Sequence, residues 1–578
     1  MIAKLLVVSA AWLVISVLLS GIGALARKRF RARIVDENDL VFDFWIGWAL
    51  TIGFLLAWHF ALPITIGTWL PIVLVGATGA WLARKDWSSA LQPLTQGRVW
   101  LAVSIILAWI TVATLSLGPD RQYDTALYHL QSVRWAQAYA VVPGLANVDS
   151  RFGMNSSFFL FGALAETVRI SAESVRLAAG LLFLPVIVQG ILTLHAVTTA
   201  QRKMDLLQWF QVLMIPAALW QARQYSSALS PDGVMFVLTV VITGELIRIL
   251  RESENDYRIF GLVLLAVVGV TVKVSFVIFG GVAAAIALWK WSQARKPNFG
   301  ALARVIMLPI LVAALWMIHG VMLSGYIAYP SPLGSFPVDW RVPPSVVKGQ
   351  AEWMVAWARS PGMHPRDVIG KYDWLARWVA NTMRDRDVIG AALTLALAAL
   401  VRIARPRREQ PNDSARPNSL LFLIPSLLAL IVWFVTAPAI RLTLGPLWVV
   451  AVGTLALAAA RSSGLSLSVP ASRIVVNAAL VLVLSVALAV GTSESGGTLA
   501  EYPVRGFTTS SGLVVYVPVK GDRCGDAPLP CSSLPPNEGL ELRHPGTIAK
   551  GFRVGREVDA KDYLRTNTPT GSANDARK

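Results

Sequence analysis

Within the 578 residues, side chains suited to proton and charge chemistry gather between Gly118 and Ser157. The run Asp120-Arg121-Gln122-Tyr123-Asp124-Thr125-Ala126-Leu127-Tyr128-His129 sets two carboxylates four residues apart, with a histidine shortly after the second. A carboxylate near an imidazole is a pair able to take and return a proton. Asp124, Asp120 and His129 are therefore the candidate catalytic groups. Further on, Pro143-Gly144-Leu145-Ala146-Asn147 and Arg151-Phe152-Gly153-Met154-Asn155-Ser156-Ser157 carry Gly and Asn at a density that marks a fixed, turn-rich loop. Tyr128, Arg151 and Asn155 are candidate binding groups there. Arg223, Asp232, Lys273 and Arg441 join them from distant parts of the chain as cations and a carboxylate that suit an anionic ligand. Each has a plainer reading: Asp124 as a helix N-cap, His129 as a packed ring, the cations as interfacial anchors.

From Asp124, the apolar positions Ala126, Leu130, Val133, Ala136 and Ala140 follow helical spacing, interrupted by Gln137, and predict a helix lying along a membrane surface. Tyr128, Gln131 and Ser132 fall on its opposite side. The membrane follows from composition. The chain is 55% hydrophobic and 15% charged, with mean hydropathy +0.57, where a soluble domain carries about 25% charged residues. Apolar runs of spanning length recur at Leu5 to Leu25, Phe44 to Leu62, Ile64 to Leu82, Val99 to Leu117, Leu177 to His195, Leu207 to Trp220 and Val234 to Ile247. They continue at Ile259 to Val272, Val274 to Trp289, Val305 to Leu323, Val388 to Val401, Leu420 to Val435, Leu444 to Ala460 and Ile474 to Val490. The fold class expected is an all-α polytopic membrane protein of about 14 transmembrane helices.

The formal net charge of +18 is spread over short basic clusters between apolar runs, not gathered into one nucleic-acid-binding domain. Placing Arg27 to Arg33, Arg84 and Lys85, Arg202 and Lys203, Arg248 to Arg258, Lys290 to Lys296, Arg402 to Arg416, and Arg461 with Arg473 in the cytoplasm satisfies the positive-inside pattern. Residues 118–167, 326–386 and everything after Gly491 then lie outside. Lys273, between two short apolar runs with basic outer flanks, becomes the outer apex of an in-and-return hairpin, either snorkelling or functional. The division expected is a membrane domain over 1–492 and a small exported appendage over 493–578. In the appendage, Cys524 and Cys531 are expected to form a disulfide, Leu513 to Val517 reads as a strand, and Thr566 to Lys578 reads as disordered.

In its many-helix architecture with an acid in the first large outer loop, the chain resembles the GT-C superfamily of integral membrane glycosyltransferases, which includes protein mannosyltransferases and the lipid A aminoarabinose transferase. The wording Tyr123-Asp124-Thr125-Ala126-Leu127-Tyr128-His129-Leu130, followed by Pro143 to Asn147 and Arg151 to Ser156, also looks like a less characterised branch of bacterial membrane proteins. The GT-C resemblance implies a bacterial inner-membrane enzyme. It would move a sugar from a polyprenyl-phosphate donor to a glycan, lipid or protein acceptor, with an essential acid in the first large outer loop. Asp124 or Asp120 fills that position. Many members carry two adjacent acids where this chain has two spaced by four, which leaves the choice of base and a divalent metal requirement open. The Arg-rich segment Tyr326 to Arg386 keeps an O-antigen polymerase or ligase in view; a lipid-linked-sugar flippase and a non-catalytic scaffold are further alternatives. No P-loop, Gly-rich dinucleotide fingerprint or metal-spaced His/Cys cluster is present.

Overall fold

A computed structural model describes residues 2–34, 37–92, 98–168, 177–200, 203–252, 255–404, 417–461, 478 and 502–555. The protein is mostly helical. In chain order the helices are α1 Ile2–Arg29, α2 Glu37–His59, α3 Trp69–Leu91, α4 Arg98–Ser116, α5 Leu130–Ala138, α6 Phe158–Glu166, α7 Ala178–Thr199, α8 Leu206–Tyr225 and α9 Pro231–Arg251. They continue as α10 Asp256–Val272, α11 Val277–Arg295, α12 Phe299–Ser324, α13 Pro344–Arg359, α14 Pro365–Val368, α15 Trp374–Thr382, α16 Arg386–Ala404, α17 Ile424–Thr436 and α18 Leu444–Arg461. Two antiparallel hairpins follow, β1 Val504–Thr508 with β2 Val514–Pro518, and β3 Leu540–Leu542 with β4 Phe552–Val554.

Among the described residues, ten helices are long and apolar enough to cross a membrane: α1, α2, α3, α4, α7, α9, α11, α12, α16 and α18. This is a multi-pass membrane protein. Every apolar run named from sequence coincides with helix except Ile474 to Val490, which lies outside the described residues save for Ala478. The segment Thr566 to Lys578 also lies outside them. Three of those runs, in α8, α10 and α17, make helices that are not among the ten.

Glycine decides how closely α1 packs. A Cβ built on Gly47 of α2 would meet the Leu19 carbonyl oxygen at 1.7 Å, and one on Gly23 of α1 would meet the Asp43 carbonyl oxygen at 1.8 Å. Only hydrogen fits at that seam, the small-residue contact that lets membrane helices touch through their backbones. α2, α7 and α9 are enclosed by their neighbours, whereas only 11% of the apolar window of α16 is buried.

The helix ends away from Asp232 hold a second set of charges. Arg27 Nε donates to Asp43 at 2.9 Å, Arg258 Nη1 donates to Glu245 at 2.7 Å and also pairs with Asp39, and Arg295 Nη1 donates to Asp256 at 2.7 Å. The basic clusters counted in sequence as loop charges are thus partly folded into buried ion pairs. Asp232 begins α9 and Arg248 nears its end; at about 1.5 Å per residue the two ends are separated by most of a bilayer's apolar thickness. The polar groups therefore divide into two sets at opposite ends of the bundle.

Candidate functional site

Asp124 is set by local backbone. Just before it, exposed Asp120 accepts the Gln122 N–H at 2.9 Å and shapes the turn. Just after it the chain forms a π-helix, Thr125–His129, before continuing as α5. Such wide turns are rare and recur at functional sites. The Asp124 carboxylate makes no cap bond to this helix. It accepts instead from Arg441 Nη1 at 2.6 Å, so the N-cap reading gives way to an ion pair spanning 317 positions.

Arg441 sits in a 3₁₀ turn, Ile440–Leu442, between α17 and α18. A second pair lies close by. Asp232, in the first turn of α9 where the helix dipole favours a carboxylate, binds the ammonium of Lys273. Lys273 occupies an extended break after α10, followed by a 3₁₀ turn, Val274–Phe276, that leads into α11. The in-and-return apex expected from sequence is this break.

The two pairs act on each other. Burial pushes the Asp124 carboxyl up, but Arg441 beside it, with a smaller pull from Lys273, holds it below the usual carboxylate value. Burial would lower the Arg441 guanidinium, yet Asp124 and then Asp232 raise it further. His129 is buried, and that burial drives its pKa down to about 4 against the pull of Asp124 and Asp232. The ring is therefore neutral near pH 7, packed against Tyr128 and Phe159, and its Nδ1 has no hydrogen-bond partner among the described residues. Burial, then the Asp124 charge, pushes the Tyr128 phenol above its ordinary range. The site is open: side-chain exposure is 44% for Arg441, 29% for Lys273 and 21% for Asp124, against 6% for Asp232.

Other candidates separate. Arg151 borders the site, near enough to act on Tyr128 and Tyr123, with Nη1 donating to Ser533 Oγ at 2.6 Å. Asn155 lies apart from these pairs, lining a cavity with His59 and His319. Its Nδ2 donates to the Trp316 carbonyl at 2.8 Å, its Oδ1 lies 2.7 Å from His319 Nδ1, and its own carbonyl accepts from Trp316 Nε1 at 2.7 Å. With φ of 36° it adopts the left-handed conformation, buried in the loop. Arg223 lies over the Trp220 ring on its own helix, 5.8 Å from the centroid, as an anchor would. Neither Arg223 nor Asp120 is among the charges that act most strongly on Asp124.

The appendage supplies residues that no sequence signal attached to the site. Cys524 and Cys531 are disulfide-bonded, as expected. Their loop lies against the Asp124 segment: the Gly525 N–H donates to the Ala126 carbonyl at 2.7 Å, and Gln131 Nε2 donates to the Gly525 and Ala527 carbonyls at 3.1 and 2.9 Å. Tyr123 donates to Asp522, and Arg523 lies over the Tyr123 ring at 4.8 Å. Gln131, expected on a solvent face, is buried for this reason: the helix is covered by the appendage. Ser533 Oγ also donates to Asp149 at 2.5 Å. The adjacent Asp522 and Arg523 beside the first cysteine were the available hint.

Among the described residues, no three His, Cys, Asp or Glu side chains are grouped to hold a metal ion. Over residues 5–448 the chain matches the family model described as a domain of unknown function, DUF8201. The chain belongs to that family. Neither the curated proteins nor the solved structures contain a match. The DUF8201 region contains Asp124, Asp232, Lys273 and Arg441 and stops before the disulfide-bonded loop that lies against the Asp124 segment.

Proposed function

We propose that this DUF8201 protein is a membrane glycosyltransferase of GT-C type, moving a sugar from a polyprenyl phosphate to an envelope glycan, lipid or protein acceptor at the extracytoplasmic face. The observation that carries the reading is the meeting of Asp124–Arg441 with Asp232–Lys273 at one partly exposed place. Four distant stretches of chain converge on two carboxylates and two cations. Sugar transfer needs this composition: a carboxylate to take the acceptor proton and cations to stabilise the departing lipid phosphate.

Asp124 is a weak base while Arg441 holds it. A donor phosphate competes for Arg441 and Lys273, and as Arg441 turns to the phosphate the Asp124 carboxylate loses its counter-charge and gains basicity. Arg441 offers a planar fork and Lys273 a point charge to the phosphate oxygens. Asp232 holds the Lys273 ammonium in place. His129, neutral and buried, borders the acceptor side without carrying charge. The positive-inside distribution supports putting this end of the bundle outside the cytoplasm, with about fourteen spans in all.

The test is transfer from a radiolabelled polyprenyl-phosphate sugar by purified protein in lipid. Asp124→Asn keeps the shape and is expected to lower turnover by about 10²–10⁴-fold with donor binding retained. Lys273→Ala is expected to weaken donor binding as well. Near-normal turnover in Asp124→Asn removes the base assignment, and unchanged donor affinity in Lys273→Ala reduces that residue to an anchor.

A further inference from the structure

The second extramembrane segment contains α15, and its surroundings do not match its sequence. None of its residues is buried; only Trp374, Trp378 and Thr382 are even half covered. The two tryptophans, one turn apart, hold it to the rest of the protein, and Arg377 Nη1 donates to Met363 Sδ at 3.3 Å. Trp374 lies beneath the Arg359 guanidinium at 5.2 Å, and Trp378 packs on Trp433 and Phe434 of α17 and donates through Nε1 to the Pro438 carbonyl at 2.5 Å. Around the helix from the tryptophans comes an apolar stripe of Leu375 and Val379, continued by Met383 just past its end, with exposures of 38, 45 and 67%. Arg377 and Asn381, with Arg384 just beyond, occupy the other side. At 100° per residue the stripe lies opposite Arg377 and Asn381, with Thr382 the one polar residue between it and the tryptophans.

In water this helix would leave half its circumference unpaired. Its neighbours say what covers that half. α16 starts four residues after α15 ends and is a membrane-spanning candidate whose outer surface shows Leu393, Leu397 and Leu400 at 67, 49 and 61% exposure. That surface faces acyl chains in a multi-pass protein, so the start of α16 fixes where the apolar layer begins. The group Trp378, Trp433 and Phe434 sits at the end of α17, where an aromatic belt marks the boundary between water and lipid. α15 is thus fastened at head-group height, next to lipid-facing side chains.

We propose that α15 is an interfacial helix that lies in the bilayer, with Leu375, Val379 and Met383 at the acyl boundary and Arg377 and Asn381 toward water. The partner is the lipid surface itself. The inference rests on the multi-pass fold and is independent of the transferase reading. Because Trp378 is bonded to Pro438, three residues before Arg441, the helix also ties the level of the bilayer to the turn that carries that guanidinium.

Both natural cysteines are in the disulfide, so single cysteines introduced into the full chain report cleanly. Leu375→Cys, Val379→Cys, Met383→Cys, Arg377→Cys and Asn381→Cys, each spin-labelled in phosphatidylcholine nanodiscs, are compared for collision with oxygen, which enters lipid, and with a water-soluble nickel chelate. The first three are expected to favour oxygen over nickel several-fold, and the last two to show the reverse. Equal nickel access at all five positions puts the helix in water and overturns the proposal. Labels at 375, 379 and 383 that reach neither reagent show a protein contact and overturn it too.

Discussion

Asp124 has two partners that sequence spacing does not join, Arg441 by contact and Lys273 by field, and both lower its affinity for a proton. His129 is the opposite case, since burial alone leaves it neutral. Its folded pKa of about 4 lies below the ordinary 6.5. Between those values the unfolded chain binds a proton that the folded chain excludes, so stability falls as pH drops through that window, by about 3 kcal/mol in all. Thermal melting of the wild type and His129→Gln from pH 7 to pH 4 checks this: the wild type should lose more stability on acidification. Parallel curves would show that His129 is not the group responsible. At this scale the sequence was informative about kinds and poor about partners. Asp124, Asp232, Lys273 and Arg441 were identifiable as charges at the same ends of apolar runs, and they do meet. Asn155 and Arg223 carried the same credentials and are spent on Trp316, His319 and Trp220, because a polar side chain near a loop is captured by whichever partner the packing supplies.

At the scale of elements, spacing of apolar residues was the strong signal, since bilayer thickness fixes helix length whatever the fold. The break at Lys273 was readable from two short runs with basic outer flanks. The π-turn after Asp124 was not, because no residue type in Thr125–His129 specifies five-residue over four-residue hydrogen bonding. Nor was the seam between α1 and α2, where glycine reads as flexibility in sequence and acts as absence of volume in the structure. Gly47→Val should disrupt that seam and cost at least about 1–3 kcal/mol, as overpacking a fixed contact does. The measurement is thermal unfolding in detergent; a wild-type melting temperature would mean that α1 is free to move away from α2.

For the whole molecule, the appendage belongs to the site although it follows the last described span. Its disulfide-bonded loop covers Tyr123 to Arg134, so the Asp124 segment is held from both sides, by the bundle beneath and by the loop above. Cys524→Ser with Cys531→Ser should leave the bundle folded and accelerate hydrogen exchange in residues 126–134, and unchanged exchange there would show that the loop needs no crosslink to hold its place. Sequence gave the disulfide from compartment and cysteine count, but no pattern in either segment announced that they dock, since the contacts are mostly to backbone carbonyls that every residue owns. The central claim, that Asp124 and its paired cations act on a lipid-phosphate sugar, is tested most directly in cells. Envelope glycans are compared among wild type, a deletion strain, and the deletion carrying either wild-type protein or Asp124→Asn at equal abundance. A sugar present in wild type, absent from the deletion, restored by the wild-type copy and not by Asp124→Asn is the predicted result; identical glycans in wild type and deletion would contradict it.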